Sequence, residues 1–221
     1  MRQAVVGLAL LAVALVAACS KPPPLTEPGD ARFAGPAPDS FDVEVVTTKG
    51  PLTLRVHRDW APHGADRFFG LVQARYFDGI AFFRVVRGFV AQFGLHGDTA
   101  VSAAWEKRQM PDDSVKSSNL RGTLSFASAG PNTRSTQLFF NLADNARLDR
   151  LGGSGFPPIA QVIAGTAVLT ELEYMYSGTG GREEGGPSQD SIHAQGDAYL
   201  QRYFPKLDRI ERARVTRKYK R

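Results

Sequence analysis

Cysteine is nearly absent. Cys19 is the only one in 221 residues, so no disulfide can form within the chain. Histidine is scarce too: none of His57, His63, His96 and His193 has a second ligand at the spacing a zinc site needs. Glycine motifs are incomplete where chemistry would require them. Gly152-Gly153-Ser154-Gly155-Phe156 places phenylalanine where a nucleophile elbow needs glycine. Gly178-Thr179-Gly180-Gly181 lacks the third glycine of a phosphate loop. These absences argue against metal, nucleotide and hydrolytic chemistry, and no cofactor is expected. Long apolar runs are missing as well. The stretch Ala4–Ala18 is unbroken but shorter than the roughly 20 residues that a membrane span needs.

That stretch, with Arg2 before it and small residues at its end before a cut site, has the layout of an export signal over residues 1–18. Leu15-Val16-Ala17-Ala18-Cys19 resembles the bacterial lipobox, in which the cysteine is lipidated and becomes the first mature residue. Stable anchoring takes more than one acyl chain, so a di- or triacylated Cys19 on a lipid bilayer is expected. The expected location is a bacterial envelope. If the cell is Gram-negative, Ser20 in place of Asp favours the outer membrane, facing the periplasm, over the inner one. Residues 19–40 carry Pro22, Pro23, Pro24, Pro28, Pro36 and Pro38 and read as an extended tether.

The rest is the size of one domain, assigned to residues 41–216 with a basic tail at 217–221. The net charge is +5, and much of the excess sits between Arg209 and Arg221. No nucleic-acid motif accompanies it, so a solvated terminus is expected, with no nucleic-acid partner. Phe41, Val43 and Val45 alternate with polar residues, as do Leu52, Leu54 and Val56 across Lys49-Gly50-Pro51, which predicts a hairpin. Pro62 starts a helix running to about Ala74. Further strands are expected at 80–86, 89–93, 122–128, 138–142, 159–163 and 210–216. Thr166 can cap a second helix, Ala167 to Ser177, closed by Gly178. Residues 97–119 and 177–196 read as loops. Many short strands with only two helices argue for a barrel.

Two blocks, Phe82–Gly94 and Phe126–Phe140, plant polar groups inside runs of Phe and Val: Arg84 and Gln92 in the first, Gln137 in the second. Desolvating such groups unpaired costs several kcal/mol, about 2–7 for an amide, so beside aromatics they usually line a pocket wall. Taken singly, Phe89 and Phe139 would read as core and Arg84 as a surface ion-pair partner.

In their order, however, these residues resemble the cyclophilin family of peptidyl-prolyl isomerases. The likeness lies in F-x-R-V-V-x-G-F-x-x-Q, holding Arg84, Phe89 and Gln92, in A-x-A-G-P-N-T…S-x-Q-x-F-F, and in Leu148-Asp149. It covers Phe41 to Thr216. It implies a mainly β fold: a closed antiparallel barrel of about eight strands capped by two α-helices, with the active site on the outer face. It implies catalytic roles for Arg84, Phe89, Gln92 and Phe139. It implies substrate contacts from Val90, Ala127, Ser128, Gln137, Arg147, Leu148 and Phe156. The activity implied is cis–trans isomerisation of X–Pro bonds (EC 5.2.1.8), here in exported or envelope proteins, by a monomer acting on proline-containing clients. The alternative is a chaperone or scaffold that binds such segments without turnover.

The chain departs from the family pattern in several places. Many eukaryotic members carry tryptophan where Arg147 stands, so cyclosporin binding is expected to be weak. Phe156 stands for the usual histidine, Ser128 for a common asparagine and Arg87 for a usual proline. Phe156-Pro157-Pro158 and the glycine-rich segment before Asp190 resemble bacterial members.

Overall fold

The computed structural model describes residues 24–33, 35–172, 176 and 185–220. The expected export signal and Cys19 lie outside the described residues.

Alternation dictates the first hairpin. β1 (Ser40–Thr47) and β2 (Gly50–His57) pair antiparallel. They bury Phe41, Val43 and Val45 from one strand and Leu52, Leu54 and Val56 from the other. The turn between them closes at Gly50, whose φ of +116° would strain any L side chain. The remaining strands are β3 (Arg84–Val86), β4 (Val90–Phe93), β5 (Thr123–Phe126), β6 (Leu138–Asn141), β7 (Pro158–Ala164) and β8 (Ile210–Tyr219). All pair antiparallel in one eight-stranded sheet, ordered β3-β4-β6-β5-β7-β2-β1-β8. The main apolar core draws residues from every strand.

β3 and β8 end the order and share no ladder, so the closed barrel is not established. Near that gap, the segment before β3 meets the start of β8. Gly79 donates to the Ile210 carbonyl at 2.8 Å, Ile210 to Ile80 at 2.8 Å and Phe82 to Asp208 at 2.9 Å.

α1 (Pro62–Gln73) starts at its proline and buries Phe68, Leu71 and Val72. No local side chain caps it. Instead Asp113, far along the chain, accepts from the His63 and Gly64 amides at 3.0 and 2.8 Å. Gly64 is small for a reason: a Cβ there would stand 2.7 Å from Ile159 Cγ2 on β7.

The helix count departs from the expected two, since three α-helices are described. Residues 97–119 are not all loop: they hold α2 (Thr99–Glu106), capped by Asp98, which accepts from Ala100 at 2.8 Å. Eight residues are too few turns for a helical period to show. The second unexpected helix is α3 (Gln189–Tyr203), capped by Ser188. Gly196, at φ +59°, breaks its geometry and with it the apolar period. Where a helix was expected from Ala167, one 3-10 turn, Thr166–Thr170, stands behind left-handed Gly165. The rest of that expected helix is only partly within the described residues.

Both ends of the domain are more structured than their composition suggests. Within the segment read as tether, Leu25 and Phe33 pack on the core. Trp105 Nε1 donates to the Leu25 carbonyl at 2.8 Å and meets the Phe33 ring edge-on at 4.9 Å. Ala37 is buried, and its amide donates to Asp66 at 2.8 Å. At the other end β8 continues to Tyr219, so Arg217 and Lys218 are strand residues. Its arginines are partly paired, Arg214 with Asp78 at 2.6 Å and Arg212 with Glu44 at 3.5 Å.

Candidate active site

Strand register lines up the polar and aromatic residues that stand apart in the sequence. Arg84 on β3 opposes Gln92 on β4, which opposes Phe139 on β6, which opposes Ser125 on β5. Directly opposed residues project from the same face of a sheet. Ala91, Phe93, Leu138 and Phe140 turn the other way, into the main core. β4 and β6 are therefore buried on both faces, which explains why their alternation is hard to see in sequence.

On the outer face a second apolar cluster forms. Val90, Phe139 and Leu148 are buried in it, and Phe89, Ala127 and Phe156 pack around them. Phe139 and Phe156 meet edge-on at 5.7 Å. Arg84 stands at the rim. Its Nη1 donates to Gln92 Oε1 at 3.3 Å, and its Cζ lies 5.8 Å from the Phe89 ring centre. Its Nε is buried and finds no hydrogen-bond partner among the described residues. That burial pulls the Arg84 pKa below the ordinary guanidinium value. Exposed Arg147 approaches the same ring, with Cζ 4.9 Å from its centre.

Beyond Gln92 the surface hollows into a cleft of about 190 Å³ between Ala127, Ser128, Thr133 and Gln137, with Gln189 of α3 at its edge. A neighbouring hollow of about 330 Å³ reaches α2 and α3. The residues expected at the site thus lie in one continuous region of the β3-β4-β6-β5 face.

The family model described as cyclophilin type peptidyl-prolyl cis-trans isomerase/CLD matches residues 41–193. The chain belongs to the cyclophilin-type isomerase family. A peptidyl-prolyl cis-trans isomerase of Arabidopsis thaliana is 33% identical over 146 residues, covering 64% of this chain and 88% of that one. A Staphylococcus haemolyticus relative named for the same activity is 29% identical over 164 residues, covering 70% and 81%. In shape the chain is similar to a crystal structure of a cyclophilin-type isomerase of Cryptosporidium parvum. The TM-score is 0.57 at 18% identity, over 80% of this chain and 98% of that one. That parasite protein has also been solved in the presence of the dipeptide Ala-Pro, with a TM-score of 0.55 to this chain.

In this cyclophilin-type isomerase a buried amide network, which the sequence reading did not find, supports the slot from beneath. Asn145 Nδ2 donates to the Phe89 carbonyl at 2.9 Å and to Asn141 Oδ1 at 2.8 Å. Asn141 donates onward to Asn119 at 3.0 Å, and Asn119 holds the Phe156 carbonyl at 2.8 Å. Asp149 anchors this network, accepting from the Asn119 main chain at 2.9 Å and side chain at 2.7 Å and from Ser118. Burial works to raise the Asp149 pKa, but the hydrogen bonds from Ser118 and Asn119 outweigh it and hold the carboxyl below its usual range. Arg134, also buried, pairs with Asp112, donates to the Gly155 carbonyl and lies 5.9 Å from the Phe156 ring. Asn141 did leave a signal, a polar residue inside Leu138–Leu142. Asn119, Asn145 and Arg134 sit in polar stretches where burial is invisible.

Proposed function

We propose that the enzyme rotates X–Pro bonds with Arg84 as the group that stabilises the twisted amide. Conjugation makes the planar bond resist rotation by about 18–20 kcal/mol. At the twist, conjugation is lost and the proline nitrogen gains a lone pair able to accept a hydrogen bond. A donor aimed there favours the transition state alone, which is what lowers a barrier. By analogy with oxyanion sites such a donor is worth roughly 2.7–4 kcal/mol, about a hundred- to a thousandfold in rate.

The observation that carries this reading is the one-sided hold on Arg84. Gln92 takes one Nη, while the buried Nε has no partner among the described residues beside the apolar slot. The proline ring is assigned to Val90, Phe139 and Leu148, with Phe89 and Phe156 as rims. Gln92 and the Ala127–Ser128 main chain are assigned to the peptide backbone, Gln137 to the wall behind them and Arg147 to residues flanking the proline. The meeting of residues 79–82 with 208–210 supports a sheet rolled into a barrel, with this slot on its outside.

The lipobox-like run before Cys19 supports a lipid-anchored enzyme serving exported or envelope clients, with the outer membrane as the favoured surface if the cell is Gram-negative. Cis–trans exchange of an Ala-Pro peptide, followed with the purified protein and its Arg84→Ala variant, tests the mechanism. Acceleration by the parent and a loss of about a hundredfold in the variant are expected. A folded parent without activity would leave only a binding module.

A further inference from the structure

Three glutamine side chains continue outward from Arg84 in one line. Arg84 Nη1 donates to Gln92 Oε1 at 3.3 Å. Gln92 Nε2 donates to Gln137 Oε1 at 2.9 Å. Gln137 Nε2 donates to Gln189 Oε1 at 3.0 Å. Gln92 and Gln137 each accept on the side of Arg84 and donate away from it, and Gln189 accepts at the outer end, so the line has a single polarity. We propose that Gln189, the first residue of α3, is a positioning residue: by accepting from Gln137 it fixes the amide orientations that hold Arg84 in its catalytic pose. This rests on the reading of Arg84 given above.

The physical reason lies in what an amide does when its outer partner changes. An amide presents a carbonyl on one side and two N–H donors on the other. If the outer end no longer accepts, Gln137 loses the reason to turn its nitrogen outward. A donor placed there would reverse it, and Gln137 would then meet Gln92 nitrogen to nitrogen. Gln92 would have to reverse as well and show N–H groups to the Arg84 cation. Arg84 would lose the one hydrogen bond described for it, and its guanidinium would be free to swing over Phe89. Coupled hydrogen bonds of this kind reinforce one another along the line.

The fold holds the outer end in place. α3 packs Ile192 and Leu200 against Phe83, the neighbour of Arg84, and against Leu95. Asp197 donates its amide to the Gly97 carbonyl at 2.9 Å and accepts from Arg209 at 3.0 Å. The two segments touch there through glycine, since a Cβ on Gly196 would lie 2.1 Å from the Gly97 oxygen. Ser188 caps the helix immediately before Gln189 and donates its amide to Tyr199 Oη at 3.2 Å. Gln189 itself is exposed, so changing it removes the interaction without opening the core.

The test compares Gln189→Leu, Gln189→Lys and Gln189→Glu in the full protein, with Arg84→Ala beside them and Gln201→Leu, exposed on the same helix, as a control. On-enzyme exchange of an Ala-Pro peptide and its Kd are both measured by NMR. Gln189→Leu is expected to slow exchange about three- to tenfold, the worth of one neutral hydrogen bond, with Kd within about twofold. Gln189→Lys is expected to lose more, because it supplies a donor. Gln189→Glu keeps an acceptor and is expected to recover most of the rate. Equal rates for Leu, Lys and Glu, beside a large loss in Arg84→Ala, would overturn the relay and leave the Arg84 mechanism standing. No loss in Arg84→Ala would overturn both. A slower Gln189→Leu that also binds peptide proportionately worse, and that Glu does not rescue, would make α3 a structural support and overturn the proposal.

Discussion

Arg84 and Gln92 face each other across the β3–β4 ladder, joined by one hydrogen bond of 3.3 Å, with the Phe89 ring beside the guanidinium. The pair tests the mechanism in a way truncation does not. Arg84→Lys keeps the charge but replaces a planar fork of donors with a single rotating ammonium. It is expected to retain the fold and lose more than tenfold in kcat/KM on an Ala-Pro peptide. A rate within twofold of the parent would show that charge alone suffices.

Phe139 is buried, opposes Gln92 and meets Phe156 edge-on. Phe139→Ala removes the floor of the slot and a packed ring together. Denaturant unfolding is expected to show a loss of about 3–5 kcal/mol, the usual cost of deleting a buried phenylalanine. Peptide titration with the surviving folded fraction is expected to show weakened binding.

Arg147 places a second cation over Phe89. Peptides with Glu flanking the proline are therefore expected to turn over faster than those with Lys. The gap should shrink as salt rises, because Arg147 is exposed and screened. Equal rates at low salt would remove Arg147 from the substrate's path. Arg147→Trp is expected to strengthen cyclosporin binding in a direct titration.

Asp149 makes the amide network pH-dependent. Its folded pKa is depressed, so its contribution is complete above the unfolded value of about 3.9 and is lost as pH falls through the folded value. Thermal melts between pH 7 and pH 3 are expected to show Tm falling below about pH 4. Asp149→Asn is expected to start lower and to fall less over that window. An unchanged slope would place the acid sensitivity elsewhere.

Asp113 offers a change away from the site. It caps α1 by accepting from the His63 and Gly64 amides. Asp113→Ala is expected to cost about 1 kcal/mol of stability and to leave kcat/KM of the folded enzyme unchanged.

The strands and the first helix were legible because their signals are local. Phe41, Val43 and Val45 alternate, and Pro62 marks a helix start. Arg84, Gln92 and Gln137 were legible because polar residues inside Phe-rich runs need a reason to be there. What the sequence hid depends on distance along the chain. Asp113 caps a helix about fifty positions away. Gln189 lay in a stretch read as loop because Gly196 interrupts its helix. Leu25 and Phe33 lay in a proline-rich stretch whose composition said nothing of Trp105, their partner.

Because β4 and β6 are buried on both faces, the slot is not a loop-built attachment that can loosen by itself. Val90 and Phe139 share their strands with Ala91 and Phe140, so amides beneath the proline pocket should exchange with deuterium only when the whole sheet opens. Heat inactivation and global melting should then coincide, and any intermediate that still folds should still bind proline.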